Sequence, residues 1–329
     1  MTDSKPAVCT VDPYDYMKLT KNPNDGSITR TSLTGVPAIT TDDHFINPIL
    51  IKDVALDPTN KTWFRIYMPR FAPAGNKLPL VVYFHGGGFI LFSPTSDLTH
   101  NFCSKLAGSL PAVVVSLDYR LAPEHKLPAA YEDAIDLVHK LKSSDDDWLV
   151  SYADFSNCFL MGSSSGGNIA YHAGLRVATA ALNGDLQPLK IKGLVLLHAF
   201  FGGVERSASE LRMINGPVLP LSVTDLMWEL ALPEGADRDH EYCCIGNGDQ
   251  KLYEEEFEKV KKMGWRVLMV GGKMDPLVDR QMEAAGMLEK RGVDVESVFG
   301  EGDIHCVEWF DASRASELFE RLRKFISKK

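Results

Sequence analysis

The sequence predicts an α/β protein with a mostly parallel central sheet. Two observations carry this. Several short apolar runs are continuous rather than alternating, as in strands covered on both faces. Between them lie segments with apolar residues at helical spacing, so strand and helix take turns along the chain. At 329 residues, with 45% hydrophobic and 24% charged residues, the chain has an ordinary globular composition and can bury a large core.

The elements follow in order. Residues 1–50 have no strong period, and a turn followed by a short strand is expected in TKNPNDGSITR. KTWFRIYMP reads as an edge strand. The apolar runs LPLVVYFHGG, AVVVSLDYR, CFLMG, IKGLVLLHA and WRVLMVGG are expected core strands, and VDVESVF is a weaker sixth. Helices are expected over PAAYEDAIDLVHKLK, with Pro128 suited to a first turn, and over GGNIAYHAGLRVATAAL. LVDRQMEAAGMLEKRG should end at Gly292, and ASELFERLRKFISKK closes the chain with basic residues in its last turn. From Phe201 to about Met263 no strong strand run occurs. PLSVTDLMWELALPEG is read as a helical insertion beyond the C-terminal edge of the sheet, where it could form a lid with the N-terminal stretch.

Charge and cysteine usage exclude several classes. The net charge of -9, with no basic block, argues against a nucleic-acid or anionic-membrane partner. No stretch approaches the length of a membrane span. MTDSKPAVCTVDPYDYMKL lacks the apolar run of a secretory signal. The six cysteines (Cys9, Cys103, Cys158, Cys243, Cys244 and Cys306) fit neither a disulfide framework nor a zinc site. A cytoplasmic location follows as the expectation, with Cys103 and Cys158 as buried apolar side chains. No dinucleotide fingerprint, phosphate-cradling loop or internal repeat is found.

The chemistry points to four loops. Gly-x-Ser-x-Gly fits in one frame, with Gly162 and Gly166 around Ser164. A strand that turns at once into a helix there would hold the serine hydroxyl above the sheet edge on a strained backbone, and small neighbours would allow the tight approach. Such a hydroxyl needs a base, and the base needs an orienting group. His305, in the loop after the last strand, is the chosen base, and His198, at the end of a strand, is the second candidate. Asp275, directly after VLMVGGKM, is the chosen acid. Its structural alternative is a helix N-cap, and Asp279 and Asp303 are less well placed. HGGGF supplies backbone donors for an oxyanion: Gly87 and Gly88 with the N–H of Ser165, or alternatively Gly86 and Gly87. His85 is read as structural. Phe89, Ile90, Leu91, Phe92, Phe200, Phe201, Leu226 and Trp228 are candidate walls of an apolar pocket.

HGGGF, DYRLAPEHKLPAAYEDA, GSSSGGNIA, GGKMDPLVDR and GEGDIH together resemble the hormone-sensitive-lipase-like branch of the α/β-hydrolases, and within it the plant carboxylesterases. The resemblance spans nearly the whole chain. It implies a single α/β-hydrolase domain over 1–329 with a helical cap built from about 1–50 and about 202–236. It also implies a Ser164–Asp275–His305 triad, an oxyanion hole of Gly87, Gly88 and Ser165, and a buried charged network of Asp118, Arg120 and Glu124. The implied activity is hydrolysis of small to medium uncharged carboxylic esters through an acyl-enzyme, with no cofactor and no metal. The partner is a small-molecule ester, and the chain is expected as a monomer or weak dimer. Ser163 and Ser165 replace the Asp and Ala usual in bacterial members. The same GSSSGGN occurs in gibberellin receptors, which lack the histidine that His305 supplies. Dehydratases and cyclases of plant specialised metabolism share much of the machinery and are the other alternative.

Overall fold

The computed structural model describes residues 9–31, 48–71, 75, 77–247 and 250–328. The elements run α1 (Pro13–Met17), β1 (Leu19–Lys21), β2 (Ile28–Arg30), β3 (Ile49–Asp57), β4 (Thr62–Pro69), β5 (Leu78–Phe84), α2 (Asp97–Ser109) and β6 (Val113–Asp118). They continue as α3 (Ala129–Lys142), α4 (Asp147–Tyr152), β7 (Ala153–Ser163), α5 (Ser165–Asn183), β8 (Ile191–Leu197), α6 (Ala208–Arg212) and α7 (Leu221–Ala231). The chain closes with α8 (Gln250–Lys262), β9 (Arg266–Gly272), α9 (Val278–Lys290), β10 (Asp294–Gly300), a 3-10 turn (Val307–Trp309) and α10 (Ala312–Ser327).

Eight strands form one sheet in the order β10-β9-β8-β7-β5-β6-β4-β3. From β6 to β10 every pairing is parallel, while β4 runs antiparallel to both β6 and β3. The six continuous apolar runs of the sequence are β5 to β10. β5 to β9 are largely buried because helices pack on both faces and leave no polar side for alternation to mark, whereas β10, at the opposite edge from β3, is only partly buried. Two hydrophobic clusters result. One contains Val82, Leu160 and Leu196 with α3 and α5, and the other contains Val81, Phe159 and Val195 with α2 and α10.

Three sequence readings change. KTWFRIYMP is not an edge strand: β3 lies outside β4 and forms the edge. Ile49 and Ile51 of β3 are buried while Lys52, Asp53 and Val54 are not, so its period is broken and weak. Pro128 is the N-cap of α3 rather than a residue of its first turn. The expected network of Asp118, Arg120 and Glu124 is not one network. Arg120 pairs with buried Asp133 at 2.7 Å, and Glu124 pairs with Arg30 at 2.7 Å. Asp118 ends β6 apart from both, and burial pushes its carboxyl up to about 7.

The N-terminal stretch and the insertion touch. Tyr16 donates its hydroxyl to the carbonyls of Pro217 and Val218, both at 2.8 Å, and the Ser222 hydroxyl donates to Val11 O at 2.7 Å. The antiparallel β1–β2 pair is anchored to the body by Arg30, which donates to Ile90 O, Ala122 O and Glu124. In the insertion, α6 is held to the start of α9, because Ser209 N–H donates to Asp279 at 2.7 Å. Of the expected cap, residues 1–8 and 32–47 lie outside the described residues. Among the described residues no helix is long and apolar enough to cross a membrane, and Cys103 and Cys158 are buried free thiols.

Candidate active site

The site lies at the C-terminal ends of β5, β7, β8, β9 and β10, where a parallel sheet delivers its loops to one edge. β7 ends at Ser163 and α5 begins at Ser165, so Ser164 is the single residue of the turn. Its φ of 55° and ψ of -120° place a non-glycine residue in left-handed space. The turn is pinned from both sides. Ser164 N–H donates to Leu197 O at 2.8 Å, and Ser164 O accepts from Phe200 N–H at 2.9 Å. The flanking glycines are required by close approach: a Cβ on Gly162 would enter the carbonyl of Gly166, and a Cβ on Gly166 would enter the carbonyl of Phe84.

His305 and Asp275 reach the serine on two loops tied together. Past β9 and β10 the chain makes backbone bonds from Lys273 N–H to Gly300 O and from Met274 N–H to Asp303 O, both at 2.9 Å. These bonds fix the relative height of the two side chains. His305 Nε2 lies 3.0 Å from Ser164 Oγ, and His305 Nδ1 lies 2.8 Å from Asp275 Oδ2. All three residues are buried, with Asp275 wholly so.

Asp275 divides two tasks between its oxygens. Oδ1 accepts from Leu277 N–H at 2.9 Å, so it caps the turn into α9. Oδ2 faces His305, and it also accepts from His198 at 3.0 Å and from Gln281 Nε2 at 3.2 Å. Burial alone would raise the acid, but the charge of His305 and the hydrogen bonds of His198 and His305 hold it well below the usual carboxylate range. The other candidates are engaged elsewhere. Asp279 holds α6, Asp303 pairs with Arg314 at 3.0 Å, and His198 contacts the acid rather than the serine hydroxyl.

Sequence reasoning did not find two neighbours of this group. Glu308 is buried and lies 3.2 Å from His198 Nε2, and Gln281 is buried against Asp275. Neither carries a readable signal: Glu308 is one acid in a short turn, and Gln281 is one polar residue in an amphipathic helix. Among the described residues, His198, Asp275 and His305 form a group close enough to share an ion. Both imidazoles already turn Nδ1 to Oδ2, so their mutual hydrogen bonds account for the clustering.

After β5 the chain turns through Gly86, Gly87 and Gly88. The φ values of 111° at Gly87 and 62° at Gly88 are ones that glycine adopts without strain. A Cβ on Gly88 would meet the Met227 side chain. His85 anchors the loop: its Nδ1–H donates to Gly86 O at 2.7 Å and its ring stacks on Tyr119 at 4.2 Å. Burial lowers its pKa to about 4, so it is neutral at pH 7.

Above these groups is a cavity of about 470 Å³ that includes Gly87, Gly88, Ser164 and His305 in its wall. Of the eight expected wall residues only Leu91 and Phe92 line it. Phe200 instead stacks on Trp228 at 4.4 Å with Phe89 beside them, and Ile90, Phe201 and Leu226 are also buried core. One wall is formed by Val223 and Met227, one turn apart on α7, with Val218 and Leu219 before them. Trp309, after His305, completes the opposite side.

Comparisons with known proteins agree with this architecture. A family model described as α/β-hydrolase fold matches residues 81–308. The chain is 48% identical over 324 residues to carboxylesterase 20 of Arabidopsis thaliana, covering 96% of each chain. It is 43% identical over 328 residues to a 3-O-acetylpapaveroxine carboxylesterase of Papaver somniferum, covering 96% of this chain and 97% of that one. A solved esterase of Pyrobaculum calidifontis superposes with a TM-score of 0.67 at 27% identity, covering 84% of this chain and 86% of that one.

Proposed function

The chain belongs to the α/β-hydrolase fold family and is a carboxylic ester hydrolase, and from that premise we propose that Ser164 is its nucleophile, His305 its base and Asp275 the acid that orients the base. The contact that carries this reading is His305 Nε2 at 3.0 Å from Ser164 Oγ, with the opposite ring nitrogen 2.8 Å from a buried carboxylate. In the reaction, His305 takes the Ser164 proton as the hydroxyl attacks the ester carbonyl. The negative charge of Asp275 stabilises the imidazolium that forms. The N–H groups of Gly87, Gly88 and Ser165 receive the oxyanion. Ser165 is the first residue of α5, where no preceding helical turn offers its N–H a carbonyl partner. Gly87 and Gly88, and not Gly86, line the cavity, which supports that pair over the alternative. His305 then protonates the leaving alkoxide, and water activated by the same ring releases the acid.

The substrates proposed are uncharged esters with small to medium acyl groups. A cavity of about 470 Å³ with Leu91, Phe92, Val223, Met227 and Trp309 in its wall favours apolar groups beside the serine. Residues 9–31 and 202–236 act as the cap, since Tyr16, Arg30, Val218, Val223 and Met227 all face this cavity. A reducing compartment such as the cytosol suits the six free thiols.

The test is covalent capture. An organophosphate should label the protein one to one, with the label on the Ser164 peptide, and Ser164→Ala should be unlabelled and inactive. Ordinary ester turnover by Ser164→Ala would overturn the assignment. A series of aryl esters of increasing acyl length then measures the size limit.

A further inference from the structure

A second histidine and a second acid stand behind Asp275, and the reaction above gives them no task. His198 follows β8 with a positive φ of 46°, uncommon for a residue other than glycine, and its N–H is bonded to Val270 O at 2.6 Å. Both ring nitrogens face carboxylates: Nδ1 lies 3.0 Å from Asp275 Oδ2, and Nε2 lies 3.2 Å from Glu308 Oε2. His198 and Glu308 are buried. The five side chains therefore form one line of contact, Ser164–His305–Asp275–His198–Glu308.

Proton counting restricts what this line can be. Nδ1 of His198 must carry a hydrogen to donate to an ionised Asp275. One further proton must lie between Nε2 and Glu308, because two unprotonated atoms at that distance would repel. Whichever of the two holds it, His198 and Glu308 together carry no net charge. A protonated His198 without Glu308 would cancel the charge of Asp275, on which the His305 imidazolium depends.

We propose that His198 and Glu308 are positioning residues for ester hydrolysis: a neutral pair that gives Asp275 Oδ2 a second hydrogen bond while leaving its charge to His305. This rests on the triad reading above. Burial alone would lower the His198 pKa, yet the Glu308 charge and the bond to Asp275 raise it to about 10, and Glu308 is drawn below its ordinary value. The other charged groups around His198 are accounted for. The His305 ring is 5.5 Å away, centroid to centroid. A small cavity of about 120 Å³ behind the pair also touches Asp303, Arg314, Glu317 and Arg321. Those pair among themselves or with Glu296: Asp303 and Glu317 with Arg314, and Arg321 with Glu296. Gln281, the remaining donor to Oδ2, is neutral.

The experiment is kcat/KM against pH, with an aryl acetate, for wild type, Glu308→Gln and the double variant His198→Ala/Glu308→Gln. Glu308→Gln leaves a histidine free to hold an unbalanced charge beside Asp275. Its acidic limb, which reports the base in the free enzyme, should move down by about one pH unit. The double variant removes that charge together with the donor, so its limb should return to the wild-type position or above. Its kcat should fall about tenfold with KM little changed. Limbs that coincide in all three proteins, or the reverse order, would overturn the inference. Should the double variant not fold, the shift of the isosteric Glu308→Gln alone decides it. Ser164→Ala and His305→Ala, assayed alongside, separate the two readings. If both variants are inactive and the limbs do not move, the triad stands and only the pair loses its role. If either retains turnover, the triad itself is wrong.

Discussion

The hydroxyl of Ser164 lies 3.0 Å from Nε2 of His305, although 141 positions separate the two in sequence. Nothing local joins them. Ser164 is held by the ends of β7 and β8, and His305 by the stitching between the loops after β9 and β10. If this contact is the proton-transfer path, removing either partner should remove catalysis without unfolding the protein. Ser164→Ala and His305→Ala should each lower kcat by roughly 10⁴-fold or more, and the double variant should be little worse than either single one. Steady-state kinetics with thermal melts on the same samples check this. Additive losses would mean that the two residues act separately.

Asp275→Asn should behave differently, because Asp275 holds more than His305. An Asn side chain can still accept from Leu277 N–H through its oxygen. Its amide nitrogen would then face the Nδ1–H groups of both His198 and His305, donor against donor. Turnover should fall by about 10⁴-fold as the His305 tautomer and orientation are lost. The melting temperature should also drop by several degrees, unlike that of Ser164→Ala. An unchanged melting temperature would show that the hydrogen bonds at Oδ2 do not hold the loops together.

That difference marks how far the sequence alone could reach. Ser164, Asp275 and His305 were legible because each stands in a short loop directly after an apolar run, where a parallel sheet collects its loop ends. The edge strand β3 was not, because its period is broken: Ile49 and Ile51 are buried while Lys52, Asp53 and Val54 are not. The pocket wall was misread for a related reason. Aromatic residues near the glycine loop after β5 suggested a lining, but the helix α7 turns Trp228 onto Phe200 and Phe89, while Val223 and Met227 face the cavity. Helical periodicity names two faces without saying which one meets ligand. Glu308 illustrates the last limit: a buried acid paired with a buried histidine 110 residues away leaves no trace in composition or spacing.

The same buried group predicts how stability depends on pH. The folded-state pKa of His198 is raised from 6.5 to about 10. Its contribution is therefore complete below about pH 6.5 and is lost as pH rises through 10. Asp275 and Glu308 are lowered from 3.8 and 4.5, so their contributions are present above those values and are lost as pH falls below them. Wild type should melt highest between about pH 4.5 and 6.5 as far as this group decides it. It should lose stability between pH 7 and 10 more steeply than His198→Ala/Glu308→Gln. Parallel melting curves for the two proteins across that alkaline range would show that His198 is not held charged in the folded state.

Met227 offers a direct probe of the cavity wall beside Gly88. It lies on α7 one turn after Val223, and its sulfur packs where a Cβ on Gly88 would be. If Gly88 N–H donates to the oxyanion, the substrate carbonyl lies against this wall, and the acyl chain extends along it. Met227→Ala removes the terminal atoms of the wall and lengthens the space beside the serine. The ratio of kcat/KM for a long-chain over an acetyl aryl ester should rise by roughly tenfold, the scale expected for a few methylenes in an apolar pocket. The substitution should cost about 2 kcal/mol of stability, the lower end for truncating a buried Met, because the side chain already borders a cavity. A ratio that stays fixed while the rate for esters of bulkier alcohols rises would place the leaving group, not the acyl chain, against α7.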